Sequence, residues 1–150
     1  MADFDLTVGQ GAAAPYSPPL ALLFEKIVDF SVNPLAGSDT AQLFDLPAGI
    51  LVIAASTKVL TAEGGVATFD LGLTGGNVDE YLDGVDANAA AGTVVMSGDA
   101  ATDEPIAFAN NGKYLSAAET VSLLANNAMA NAKIKFSIMA LDLRGMLSEA

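Results

Sequence analysis

Apolar residues in this chain recur at every second position, in short runs cut by Gly, Pro and Asn. A period of two sends alternate side chains to opposite faces of an extended strand, whereas a helix needs a period near 3.6. Val28, Phe30 and Val32 alternate with Asp29, Ser31 and Asn33, which predicts a strand with one wet face from Phe24 onward. Asn33–Pro34–Leu35–Ala36–Gly37–Ser38–Asp39 is turn chemistry, with Pro fixing φ and Gly admitting a positive one. Residues 40–46 resume as a strand and stop at Pro47–Ala48–Gly49. Residues 50–60 are the most β-like stretch, and their continuous apolar start predicts burial on both faces. Glu63–Gly64–Gly65 then predicts a hairpin back into residues 66–72.

Between Gly75 and Gly92 the alternation lapses, and residues 78–88 predict a helical turn or compact loop with no sustained strand. Strands return at 93–96, 106–109, 119–125 and 133–143. The last puts Ile134, Phe136, Ile138 and Ala140 on one face and Lys133, Lys135 and Ser137 on the other. About eight short strands at this spacing predict an all-β fold, a single jelly-roll-like β-sandwich packed by residues such as Phe24, Phe30 and Phe136. The sandwich is expected over residues 24–150, behind an N-terminal arm of residues 1–23. Gly9, Gly11, Pro15, Pro18 and Pro19 allow neither a helix nor a central strand there. The residues expected to reach a partner are Pro15, Tyr16, Pro18, Pro19, Leu20 and Leu22.

Composition narrows the function. At 150 residues the chain fits one domain. It is 52% hydrophobic and only 16% charged. Much of the apolar share is alanine, which buries little area per residue and hints that partner subunits cover some surface. A net charge of −12 repels phosphate and anionic lipid, so nucleic acid and membranes are not expected partners. The same charge suits the outer surface of a crowded particle. Cysteine and histidine are both absent, which excludes a disulfide, a thiolate nucleophile, an imidazole base and a zinc site built on either. The start of the chain has no basic region followed by an apolar run, and residues 50–55 are far shorter than a membrane span. The expectation is a soluble protein made in a cytoplasm.

Carboxylates are the only plentiful reactive groups. Asp79, Asp83 and Asp86, with Glu80 and Asn88 nearby, are oxygen ligands of the kind calcium takes, but they lack the ordered spacing of a calcium loop. Asp83–Gly84 and Asp86–Ala87–Asn88 are also ordinary turn chemistry, which is the expected role. A glycosidase would need a carboxylate pair beside aromatic platforms, and the chain has no Trp and three Tyr. No Ser-x-x-Lys occurs, and Gly64–Gly65 and Gly75–Gly76 are too short for phosphate loops. No enzyme and no cofactor is expected. Tyr81 and Tyr114 are read as loop anchors with buried rings.

Three stretches together resemble a known group. They are Leu46–Pro47–Ala48–Gly49–Ile50–Leu51–Val52 running on to Thr68, then residues 81–88 from Tyr81 through Asp83–Gly84 to Asn88. The third is Asn111–Gly112–Lys113–Tyr114–Leu115 through Thr120, closed by Asn126–Asn127 and Ala132–Lys133. The series is similar to small virion structural proteins of tailed bacteriophages from aquatic bacteria, cyanophages included. The resemblance implies a head protein of the decoration or cement type, a homotrimer on the outer capsid surface whose partner is the major capsid protein. Residues 71–77 depart from it, because a more acidic, Asp-Gly-rich turn is expected there. A tail, baseplate or head-fibre protein and a lectin-like or calcium-stabilised binding domain are the competing readings.

Overall fold

The structure is a computed structural model, and it describes residues 20–98 and 112–147. In chain order the strands are β1 (Leu20–Asp29), β2 (Thr40–Leu46), β3 (Ile50–Thr61), β4 (Thr68–Leu73), β5 (Leu82–Asp86), β6 (Val94–Met96), β7 (Lys113–Tyr114), β8 (Glu119–Ala125) and β9 (Lys133–Asp142). One helical turn, α1 (Arg144–Leu147), follows. Sheet I has the order β1-β9-β3-β6, with β7 also on β3, and sheet II has the order β2-β8-β4-β5. Every pairing is antiparallel, so the fold is the all-β sandwich that the alternation predicts.

Period two explains the core. Ile134, Phe136, Ile138 and Ala140 of β9 all point inward and are fully buried. They meet Phe69 and Leu71 of β4 and Val121 and Leu123 of β8 across the sandwich. Phe69 and Phe136 come one from each sheet and pack edge to face, ring centroids 5.6 Å apart, an arrangement the ring quadrupoles favour. In β3 the register against β9 slips once after Val52 and again after Val59. The first slip changes the inward set from Ile50 and Val52 to Ala55, Thr57 and Val59. The apolar start of β3 is therefore not buried on both faces. Leu51 is half-buried and Ile53 is 41% exposed, both on the outer side.

Four other expectations change. First, Glu63–Gly64–Gly65 does not close a hairpin, because β3 lies in sheet I and β4 in sheet II. Both edges of β3 are taken, by β9 on one side and by β6 with β7 on the other, so the loop crosses between layers. Second, residues 75–92 do contain a strand, β5, which carries a bulge at Asp83–Gly84 with Gly84 at φ 63°. A glycine with positive φ is the usual way to seat such an extra residue. Third, β1 opens at Leu20, so residues 20–23 pair with β9 inside the sandwich rather than in an arm. It ends at Asp29, whose carboxylate accepts the Ser31 N–H at 3.0 Å and turns the chain, leaving Val32 exposed. Fourth, Tyr81 is fully buried as expected, but Tyr114 is 47% exposed on the β3 edge. The strand expected at 106–109 lies outside the described residues.

Candidate functional site

The polar residues of the three resemblance stretches wire the loops together. The Asn88 side-chain oxygen accepts the Gly64 N–H at 2.8 Å, and the Asn127 oxygen accepts the Thr68 N–H at 3.1 Å. Asn126 donates to Asp70 at 2.9 Å, and Gly84 N–H reaches the same oxygen at 2.8 Å. Gly112 is also fixed by geometry: a Cβ there would lie 2.6 Å from the Val52 carbonyl, and its φ is +70°, a backbone region open mainly to glycine. Glu63 is buried in the crossing loop and receives backbone N–H groups from Ala130, Asn131 and Ala132 at 2.7–2.9 Å. Burial pushes its carboxyl up, but these donors and the Asn131 amide outweigh burial and hold it below the usual glutamate value.

The candidate calcium ligands are spread along one segment. Asp79 is in the loop before β5, Asp83 is at the β5 bulge, and Asp86 ends the strand, accepting the Asn88 N–H at 2.8 Å. No group of three or more acidic, His or Cys side chains among the described residues is placed to hold a metal ion. Their neighbour Glu80 instead joins Lys113, which lies 3.2 Å from it and 3.6 Å from Glu119. Tyr81 is buried beside this pair. Burial first, then the charges of Glu119 and Glu80, pushes its phenol well above the usual tyrosine value. The phenol is therefore neutral, which suits an anchor and not a base.

The broad outer faces of the two sheets differ sharply. On sheet I the cross-strand rows run Leu23–Met139–Ala54, Ala21–Leu141–Leu51–Tyr114 and Glu25–Ser137–Ser56–Met96. Leu23 is 59% exposed and Met139 44%, and Val94, Met96 and Ile53 are also exposed. Lysines lie at the far end: Lys135 pairs with Glu25 at 2.7 Å and Lys133 with Asp29 at 3.4 Å. On sheet II the outward rows are Gln42–Ser122–Gly72, Asp45–Thr120 and Thr68–Asp86, with Asp70 and Leu124 between them. Among the described residues that face carries carboxylates and no lysine or arginine; the Asn77–Val78 backbone packs over Gly72, and Asp70 and Ser122 are buried there. An exposed apolar patch with a charged rim is what a protein surface offers a partner.

Of the residues expected to bind a partner, Pro15, Tyr16, Pro18 and Pro19 lie outside the described residues. Leu20 and Leu22 are in β1, where Leu20 is 62% exposed and Leu22 packs against the core. The outer residues Leu23, Ile53 and Met139 were not legible as a surface. The one sequence signal for them is the unbroken apolar run at the start of β3.

No protein-family model and no curated protein matches the sequence. Solved structures do match in shape. A chain of the acid-stable capsid of Helicobacter pylori bacteriophage KHP30 is 15% identical with a TM-score of 0.59, over 84% of this chain and 89% of that one. A chain of the cyanophage Pam1 capsid asymmetric unit is also 15% identical with a TM-score of 0.59, over 90% and 95%. A chain of the Ralstonia phage GP4 capsid is 19% identical with a TM-score of 0.50, over 89% and 93%. The chain has the sandwich fold found in the capsids of these three phages.

Proposed function

We propose that the chain is a non-enzymatic structural protein of a phage virion, specifically a decoration (cement) protein on the outer capsid surface. The observation that carries this reading is the two-faced sandwich. The apolar face of sheet I seats on the shell formed by the major capsid protein, and the acidic face of sheet II is left to solvent. Like charges on the solvent side keep densely placed copies apart and soluble. The shared fold supports the virion assignment, and the strand orders of the two sheets support the jelly-roll form, two interlocked Greek keys. The segment ahead of β1, residues 15–19, reaches a neighbouring subunit, and the working assembly is a homotrimer.

Sedimentation with purified, undecorated capsids tests the placement. Saturable binding that is lost when Leu23 and Met139 both become Ser is the expected result. A chain that never cosediments removes the decoration reading.

A further inference from the structure

A sandwich of two open sheets has four edges, and three of these are blunted. β6 and β7 are three and two residues long, β2 has a register slip between Gln42 and Phe44, and β5 is bulged at Gly84. Short or bulged edges do not template another strand. β1 is different. It pairs with β9 over ten residues without a slip, and no strand among the described residues runs along its other side.

The polarity of that free side follows from one bond. Phe30 N–H donates to the Ala132 carbonyl on the β9 side. Backbone groups alternate along an antiparallel strand, so the N–H and C=O of Leu23, Glu25 and Ile27 point to the open edge. The charged side chains of β1 do not guard it. Glu25 is drawn to Lys135, Asp29 to Lys133, and Lys26 across the sandwich to the Leu43 carbonyl at 3.3 Å. Leu23 and Ile27 are left 59% and 55% exposed beside the unpaired backbone.

We propose that this edge receives residues 3–8 of a second copy as an added strand. Asp3–Phe4–Asp5–Leu6–Thr7–Val8 has strict alternation, with Phe4, Leu6 and Val8 on one face and Asp3, Asp5 and Thr7 on the other. Laid along β1, the apolar face covers Leu23 and Ile27, and the two aspartates lie on the side of Lys26. Main-chain bonding gives the affinity and the alternating side chains give the register. A second copy is the donor because of the eleven residues between Val8 and Leu20. Hairpin loops are short, ~2–5 residues, whereas these include Pro15, Pro18 and Pro19. Eleven residues can span at most about 36–40 Å, enough reach to carry residues 3–8 to the β1 edge of a neighbour. The inference deepens the subunit contact of the proposed function, on which it rests, by naming both of its surfaces.

The full chain and its Leu6→Lys/Val8→Lys variant are compared by light scattering and hydrogen exchange. A multimeric wild type, a monomeric variant of unchanged circular dichroism, and roughly tenfold or faster exchange at the Leu23, Glu25 and Ile27 amides are expected. A peptide of residues 2–9 added to the variant slows that exchange again without restoring the multimer. A monomeric wild type overturns strand donation, whether its edge amides exchange freely or are protected by its own segment. A multimer untouched by the variant overturns it too. A monomer that still binds capsids overturns this inference alone, whereas a multimer that ignores capsids overturns the decoration reading alone.

Discussion

The two outer faces are built from the same alternation and end in opposite chemistry. On sheet I the outward positions of β1, β3 and β9 keep leucine, isoleucine and methionine, with lysines only at one end. On sheet II the outward positions are threonine, serine, glutamine and aspartate with Gly72 and Leu124, and several of the polar groups are already bonded. Thr120 donates to Asp45 at 2.8 Å, and Asp70 accepts from Gly84 and Asn126. Inward positions are mainly apolar in both. The difference shows that folding sets the inner half of each strand, whereas the outer half is free to be set by what the sheet faces.

The comparison can be broken most strongly from within. Phe136→Ala removes one ring of the Phe69 pair and should cost about 3–5 kcal/mol in a denaturant titration. If Leu23→Ser costs as much, sheet I has no true outer face and the comparison fails. Next in size is Glu63→Gln, which weakens the clamp between the layers by roughly 1.5–3 kcal/mol. Its pH signature has a definite sign. The folded carboxyl titrates below the ordinary 4.5, so the wild type keeps this stability above that value and loses it as pH falls through the lower folded value. The Gln variant should lack that loss, and thermal melts between neutral and acid pH compare the two.

Smaller stability effects sharpen the contrast. Leu23→Ser with Met139→Ser should move stability by no more than about 0.5 kcal/mol each while abolishing binding of a hydrophobic dye and association with capsids. Gln42→Ser on sheet II, an exposed position, should change folding by less than ~0.5 kcal/mol and leave both of those readings unaltered. A loss of association from Gln42→Ser would assign the docking role to the wrong sheet.

Sequence alternation made β2, β3, β8 and β9 legible because each has one face that must be buried. β5 was hidden because a Gly at φ 63° inside a bulge reads locally as a turn. The Gly64–Gly65 reversal was visible, but two β-branched runs around a turn do not say whether they pair or face each other across a core. That depends on β9, far along the chain, which occupies the edge a hairpin would need. Gly72 is another case: a Cβ there would lie 2.2 Å from the Val78 carbonyl carbon, a closeness set wholly by tertiary packing. The acidic segment at residues 79–86 has the composition of a turn, yet Asp83 and Asp86 lie in a strand. The candidate surface stayed illegible because exposed and buried leucines look alike when the outer face is also apolar.

The pairing of β1 with β9 has a consequence for synthesis. Leu20 is opposite Asp142, so β1 waits for β9, which is made more than a hundred residues later. Closing a loop of that length is entropically costly and makes the contact slow to form. On the ribosome, β1 to β5 exist well before either sheet can close, because β8 joins β2 to β4 and β9 joins β1 to β3. The open edge of β1 is therefore defined only once β9 has emerged. Copies whose β9 has not yet paired cannot join through it.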